Sequence, residues 1–187
     1  MLIQKTNPVG KDVPIQRLQK FLHDELMVIW GIDPDVANTN KLYECYARAH
    51  RNKTESGYRA EVFTAGTDYK EVYWNDALKA ISFFGESTIE TFNIDEKINI
   101  HLCFFVDLKK LKPGIVHRAD EEVRRDVQLL AERNMFGFVY LSTETGIENV
   151  LKDYPSSYKS ERLRAVDMHP VHCFRLNFEL NYNKDIC

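Results

Sequence analysis

Three potential metal ligands fall within five residues at His169-Pro170-Val171-His172-Cys173. Zinc takes four ligands from His, Cys and carboxylates in a tetrahedral shell, so a run like this is worth testing against geometry. On an extended strand successive side chains point to opposite faces. His169 and His172, three apart, then diverge, and so do the adjacent His172 and Cys173; at most two of the three reach one ion. His101 and Cys103 lie two apart, share a face, and could meet Cys173 across neighbouring strands. A zinc site is one reading of these residues, and ordinary side chains on a half-buried sheet face is the preferred one.

Other chemistry has less to stand on. No serine sits in a G-x-S-x-G elbow, which would present its hydroxyl on a sharp strand-to-helix turn. A Cys–His pair stays open as an arrangement in space, but Cys103 and Cys173 lie within strand-like segments and not at an activating helix N-terminus. The eight glycines never form G-x-G-x-x-G or G-x-x-x-x-G-K, the loops that cradle phosphates. The acidic pairs Glu121-Glu122 and Asp33/Asp35 fit a helix start and a proline turn, where carboxylates stabilise local structure. No cofactor, metal or catalytic residue is therefore expected. Two alternatives remain: a small-molecule or peptide-binding module in which Tyr73, Trp74, Phe83 and Phe84 line a cavity, and a metal-dependent hydrolase or nuclease built on His101, Cys103 and Cys173.

Arg118, Arg124, Arg125 and Arg133, and later Lys159, Arg162 and Arg164, alternate with acids, the pattern of a solvated or subunit-bridging face. With 25 basic and 28 acidic residues the formal charge is −3, which provides no general attraction to phosphate. Passing DNA would slide along such a surface, since few counterions are released on contact. No apolar run approaches the roughly 18 residues of a membrane span, and Met1-Leu2-Ile3-Gln4-Lys5 lacks the pattern of a signal peptide. The four cysteines show no C-x-x-C spacing, so reduced thiols in a cytoplasmic setting are expected.

The elements that would position these residues follow from periodicity. At 187 residues the chain fits one core. Residues 1–13 are polar and read as an N-terminal arm, and 14–187 as a single α+β domain. Ile15, Leu18, Leu22, Leu26 and Ile29 form one stripe of a helix that opens at Pro14 and stops at Gly31 and Pro34. Residues 41–50 and 58–63 predict a hairpin, and 71–74 and 78–84 two short strands, the second ended by Gly85; the aromatics Tyr69, Tyr73, Trp74, Phe83 and Phe84 should close the apolar face. Strict alternation over 97–108 and 172–182 predicts two long strands, each with a core face and a semi-polar one. At ~3.3 Å per residue the last would span roughly 36 Å and project beyond the domain. Between them a helix spans about 119–134, followed by a short strand at 136–141, a short helix at 143–151 and a polar loop at 154–164. The fold class is α+β: a mainly antiparallel sheet with long amphipathic strands packed against two main helices.

Asn7-Pro8-Val9-Gly10 leading into Pro14-Ile15-Gln16-Arg17-Leu18-Gln19, then residues 43–52 into 58–63, give this chain a texture that resembles small virion neck proteins of tailed bacteriophages. The order of elements likewise resembles the tail-terminator and head–tail connector type. That resemblance covers most of the chain as order and texture, with no signature motif. It implies a tail-terminator-like fold and a non-enzymatic ring of identical subunits, a hexamer or dodecamer, in the virion neck. Made in the host cytoplasm, the ring would surround the DNA channel and join the portal side to the tail through adjacent neck and tail proteins, with no sequence-specific DNA contact and no membrane. The interface residues expected on this reading are Asn7 and Lys11 in the arm, and Arg124, Arg175 and Glu179 on exposed faces of the second helix and the long strands.

Overall fold

A computed structural model describes residues 1–33, 42–55, 57–92, 95–133, 136–154 and 168–183. The order is β1 (Leu2–Ile3), α1 (Asp12–Ile29), β2 (Tyr43–Thr54), β3 (Gly57–Ala65), β4 (Asp68–Glu71), β5 (Ala80–Phe92), β6 (Asp95–Asp107), α2 (Leu108–Leu111), α3 (Asp120–Glu132), β7 (Phe138–Thr145), α4 (Ile147–Val150) and β8 (Val171–Asn183). The chain is α+β, with eight strands in one mostly antiparallel sheet ordered β4-β3-β2-β5-β6-β8-β7; β1 pairs with β2 off that path.

The stripe expected on α1 is buried at Ile15, Leu18, Leu22 and Leu26, each worth about 1.5–3 kcal/mol as an apolar side chain removed from water. Its end is set by backbone chemistry. Gly31 adopts φ +59°, Ile32 N–H donates to Met27 O at 2.8 Å and Gly31 N–H to Val28 O at 3.1 Å, which satisfies two otherwise orphaned carbonyls. That turn swings Trp30 and Ile32 into the core, whereas Ile29, expected in the stripe, is left exposed. Pro34 lies outside the described residues. On α3, Asp120, Glu121 and Glu122 occupy the positive end of the helix dipole, and Val123, Val127, Leu130 and Ala131 face inward. Both helices cover one face of the sheet, where the larger core joins them to Phe84, Phe104, Phe174 and Phe178.

The residues expected as an arm are largely part of the body. Leu2 and Ile3 pair in parallel with Cys45 and Tyr46. Two glutamines of α1 then hold the next residues: Gln19 Nε2 donates to Ile3 O (2.9 Å), Lys5 N–H to Gln16 Oε1 (2.7 Å) and Gln16 Nε2 to Lys5 O (3.1 Å). Polar composition misled here because the polar groups serve as backbone partners in place of water. The helix consequently opens at Asp12, with Pro14 still in its first turn, where no N–H is required.

The long strands differ from expectation in two ways. Neither has a free edge: β8 pairs with β6 along its whole length, from Asp95↔Asn183 to Asp107↔Val171, and with β7 on its other side. It is an interior strand and does not project. The face read as semi-polar is buried over part of its length, where His101, Cys103, Phe105, Cys173 and Arg175 lie within a second layer; toward the other end Asn99 and Asn181 are exposed, as expected of such a face. That layer is a separate apolar core of Tyr46, Ala49, Ala60, Val62, Val72, Leu78, Phe83 and others, closed by Val150, Leu151 and Tyr154.

The hairpin of β2 and β3 is present, from Ala49↔Val62 to Thr54↔Gly57. Residues 72–79 form no strand, so Tyr73 and Trp74 lie on a connecting segment and Tyr73 and Tyr69 are exposed; Phe83 and Phe84 are buried on opposite faces of β5. Strand β5 runs through Gly85 to Phe92. Residues 143–145 extend β7, which reduces the helix expected at 143–151 to the single turn of α4. The polar loop at 154–164 lies outside the described residues after Tyr154.

Candidate functional site

Beneath α4 the second core carries a group of charged and polar side chains from five segments. Arg175, on β8 and nearly fully buried, ion-pairs with Asp153 just after α4, donates from Nε to Asn177 Oδ1 at 2.7 Å, and lies 3.6 Å from Glu144 on β7. Lys152 closes the ring with bonds of 2.8 Å to both Glu144 oxygens. That bond, first, and the nearby Arg175 charge hold the Glu144 carboxyl below its ordinary value against partial burial. A buried guanidinium stripped of its partners is strongly unfavourable, so the network ties the 151–154 segment to the sheet.

His101 lies on the same face of β6 and is fully buried. Its Nδ1 is 3.4 Å from Ser87 Oγ and 3.5 Å from Asp153 Oδ2, and its Nε2 has no hydrogen-bond partner among the described residues. Burial, then the positive charge of Arg175, push its pKa down to about 3, with Asp153 opposing. The ring is neutral at pH 7, and the acceptors around Nδ1 place its proton there. Gly85 pairs with His101 across the ladder, and a Cβ on Gly85 would fall 2.1 Å from Nε2 and 2.8 Å from the Tyr154 hydroxyl. The glycine is required by close approach of the imidazole, and for that reason it sits inside a strand instead of ending one.

Ser87, His101 and Asp153 are the three residue types of an acyl-transfer relay. The relay needs acid and nucleophile on opposite ring nitrogens. Here both face Nδ1, while Nε2 is packed against Gly85. Cys103 offers no alternative, because burial pushes its pKa up to about 12 and its Sγ is directed at Val150 O, 3.5 Å away. A thiol that stays protonated is a poor nucleophile.

Among the described residues no group of three His, Cys, Asp or Glu side chains is arranged to hold a metal ion. His172 faces the helix side, stacked on Phe174 with its Nδ1 3.0 Å from Arg118, whereas Cys173 is buried on the opposite face with Cys103. The alternation anticipated for His172 and Cys173 is present. His169 is exposed just before β8. Cys45, Cys103 and Cys173 are buried free thiols. No helix among the described residues is long and apolar enough to cross a membrane.

The five expected interface residues are scattered. Asn7 is exposed, while Lys11 forms a 2.5 Å ion pair with Glu86. Arg124 is partly buried on α3, paired with Glu121 and 3.3 Å from Gln128. Glu179 pairs with Lys97 at 2.7 Å and accepts from Asn181 at 3.2 Å. Arg175 is the correction: expected on an exposed strand face, it is the buried centre of the ion network, because the 146–154 segment covers that face. Reading the sequence also missed Glu144, Asp153 and Tyr154, for which no local pattern gives a signal, since their partners lie on other strands.

Of the aromatic residues offered as a cavity lining, Phe83 and Phe84 cannot share one cavity: Phe83 stacks on Phe105 in the second core with centroids 6.1 Å apart, and Phe84 packs against Phe138 in the first. A polar cleft of about 320 Å³ lies between the start of α3 and the β7–α4 turn, where Arg118 and Arg124 meet Asp120, Glu121 and Glu148. Its two guanidinium groups face three carboxylates.

Among the described residues the sheet ends in two unlike edges, neither with an outer strand. On one side β4, with Tyr69 exposed and Tyr73 just beyond it, has no outer neighbour among the described residues; on the other, β7 carries exposed Val139 and Leu141, with Phe136 just before it. No protein-family model matches this chain, and no curated protein does.

Proposed function

We propose that this chain is a non-enzymatic structural subunit of the tail-terminator or head–tail connector type, which assembles as a ring in the neck of a tailed-bacteriophage virion. The observation that carries the reading is the pair of unlike open edges. A ring of identical subunits needs a heterologous contact that closes, in which one patch meets a different patch on the next copy. Edge strands with unpaired N–H and C=O groups are templates for such pairing, and natural monomers blunt them with lysine, proline or bulges. Strand β7 has one bulge, between Tyr140 and Ser142, and no lysine or proline. Addition of the β4 edge of one copy to the β7 edge of the next would continue the sheet around the ring and cover Val139 and Leu141 with Tyr69 and Tyr73.

Two further observations support a structural role over catalysis. The His–Asp–Ser group has the wrong geometry for a relay, and burial raises the pKa of the Cys45 and Cys103 thiols, which keeps them protonated. The net charge of −3 suits a channel through which DNA passes without being gripped. The ring would bridge the portal side and the tail through neighbouring neck proteins.

Electron microscopy of the purified protein tests this reading together with the variant Val139→Lys, which introduces a charge on the β7 edge. Wild-type protein should form closed rings and Val139→Lys folded monomers. A wild-type preparation without rings, or rings that persist unchanged in the variant, counts against assembly through this edge.

A further inference from the structure

Residues 146–154 attach to the rest of the molecule in a way that separates them from the main fold. Their backbone bonds are mainly local: Val150 N–H to Gly146 O, Leu151 N–H to Ile147 O and Tyr154 N–H to Leu151 O. Among the described residues none of them pairs with a strand of the sheet. What holds them down is a set of side chains, with Val150, Leu151 and Tyr154 pressed into the second core and Lys152 and Asp153 locked to Glu144 and Arg175. Small units tied by few contacts open independently of the global fold.

Beneath this cover lies His101, with a ring nitrogen that finds no partner among the described residues, and beside it Cys103, with its sulfur on the carbonyl of Val150. Lifting the cover would hydrate both. We propose that residues 146–154 form a lid over the second core, closed by the Arg175 ion network and opened by acid, with the buried imidazole of His101 as the responding group. This inference does not depend on the ring reading.

The charges facing His101 oppose one another: Arg175 and Lys152 disfavour its protonation, Asp153 and Glu144 favour it, and burial outweighs all four. On β8 Arg175 is positive throughout, and on the lid Lys152 is positive and Asp153 negative. On β6 Cys103 stays protonated, and on β7 Glu144 is held below its ordinary value. The imidazole, depressed from 6.5 to about 3, is neutral when covered, so between those values the open state binds the extra proton and closure weakens as pH falls. Protonation of Glu144 at still lower pH removes a further contribution, one that is present only above its folded value. For an open-state imidazole of ordinary basicity, the open fraction rises about thirty-fold from pH 8 to pH 5.

Cysteine accessibility reads this in the unmodified protein. Cys103 lies under the lid, whereas Cys45 is buried in the other core, against α1. A pyridyl disulfide, with site-resolved mass spectrometry and rates corrected against a free-cysteine peptide, should modify Cys103 about thirty-fold faster at pH 5 than at pH 8 and leave Cys45 unchanged. Equal rates at the two thiols, or no acceleration at Cys103, overturns the proposal. His101→Gln should abolish the acid acceleration, and acceleration equal to wild type overturns the role of His101. If that variant does not fold, Asp153→Asn provides the second arm: it weakens the latch but keeps the imidazole, so Cys103 should react faster at both pH values with the pH ratio retained. An unchanged Cys103 rate in Asp153→Asn overturns the latch.

Discussion

Replacing Gly85 with alanine adds one methyl group where the His101 imidazole lies against the backbone. The new Cβ would lie 2.1 Å from His101 Nε2, 2.7 Å from His101 Cε1 and 2.8 Å from the Tyr154 hydroxyl, whereas ordinary contacts begin near 3.4 Å. The ring would have to retreat by more than an ångström, yet His101 is fully buried and Tyr154 nearly so. Overpacking of this kind costs about 1–3 kcal/mol, set against roughly 0.5–1 kcal/mol gained when glycine leaves a strand interior. The expected net loss is about 1–2 kcal/mol, measured by urea denaturation with Trp30 fluorescence as the probe. In a His101→Ala background the clash disappears, and the same glycine substitution should become neutral or mildly stabilising. That reversal gives a coupling of roughly 2 kcal/mol in a double-mutant cycle. A Gly85→Ala protein as stable as wild type, or a cycle with no coupling, would refute the close approach of imidazole and glycine.

Asp153→Ala leaves the Arg175 guanidinium short of one of its two carboxylates and should destabilise by about 3 kcal/mol, whereas Arg175→Met, which removes the buried charge and keeps most of the volume, should cost less in the same denaturation assay. Leu22→Ala opens a cavity under α1 and should lower stability by about 2–5 kcal/mol while leaving the acid acceleration at Cys103, in the other core, unchanged. Leu141→Lys, at an exposed site on the β7 edge, should alter thermal stability by less than about 0.5 kcal/mol while abolishing self-association in sedimentation velocity.

The parts of the fold visible in the sequence are those in which one periodicity dominates. The four buried leucine and isoleucine positions of α1 repeat at helical steps, and the alternation over 97–108 and 172–182 marks β6 and β8, because each side chain there has one environment decided by its own strand. The edges of elements were less legible. Strand β5 continues past Gly85 because a neighbouring strand supplies an imidazole to fill the space above it, a fact that no local pattern carries. The arm became a strand through Gln16 and Gln19, polar residues with partners remote in the chain. Arg175 was misplaced for a related reason: alternation tells which face a residue occupies but not whether a later segment folds over that face. The ion network combines β7, β8 and the turn after α4, so its members meet only in three dimensions.

Counting subunits by native mass spectrometry of the purified chain tests the proposed role most directly. A ring-forming neck protein should appear as a single closed species of six or twelve times the 21.9 kDa chain mass. A lone 21.9 kDa species at every concentration would contradict it.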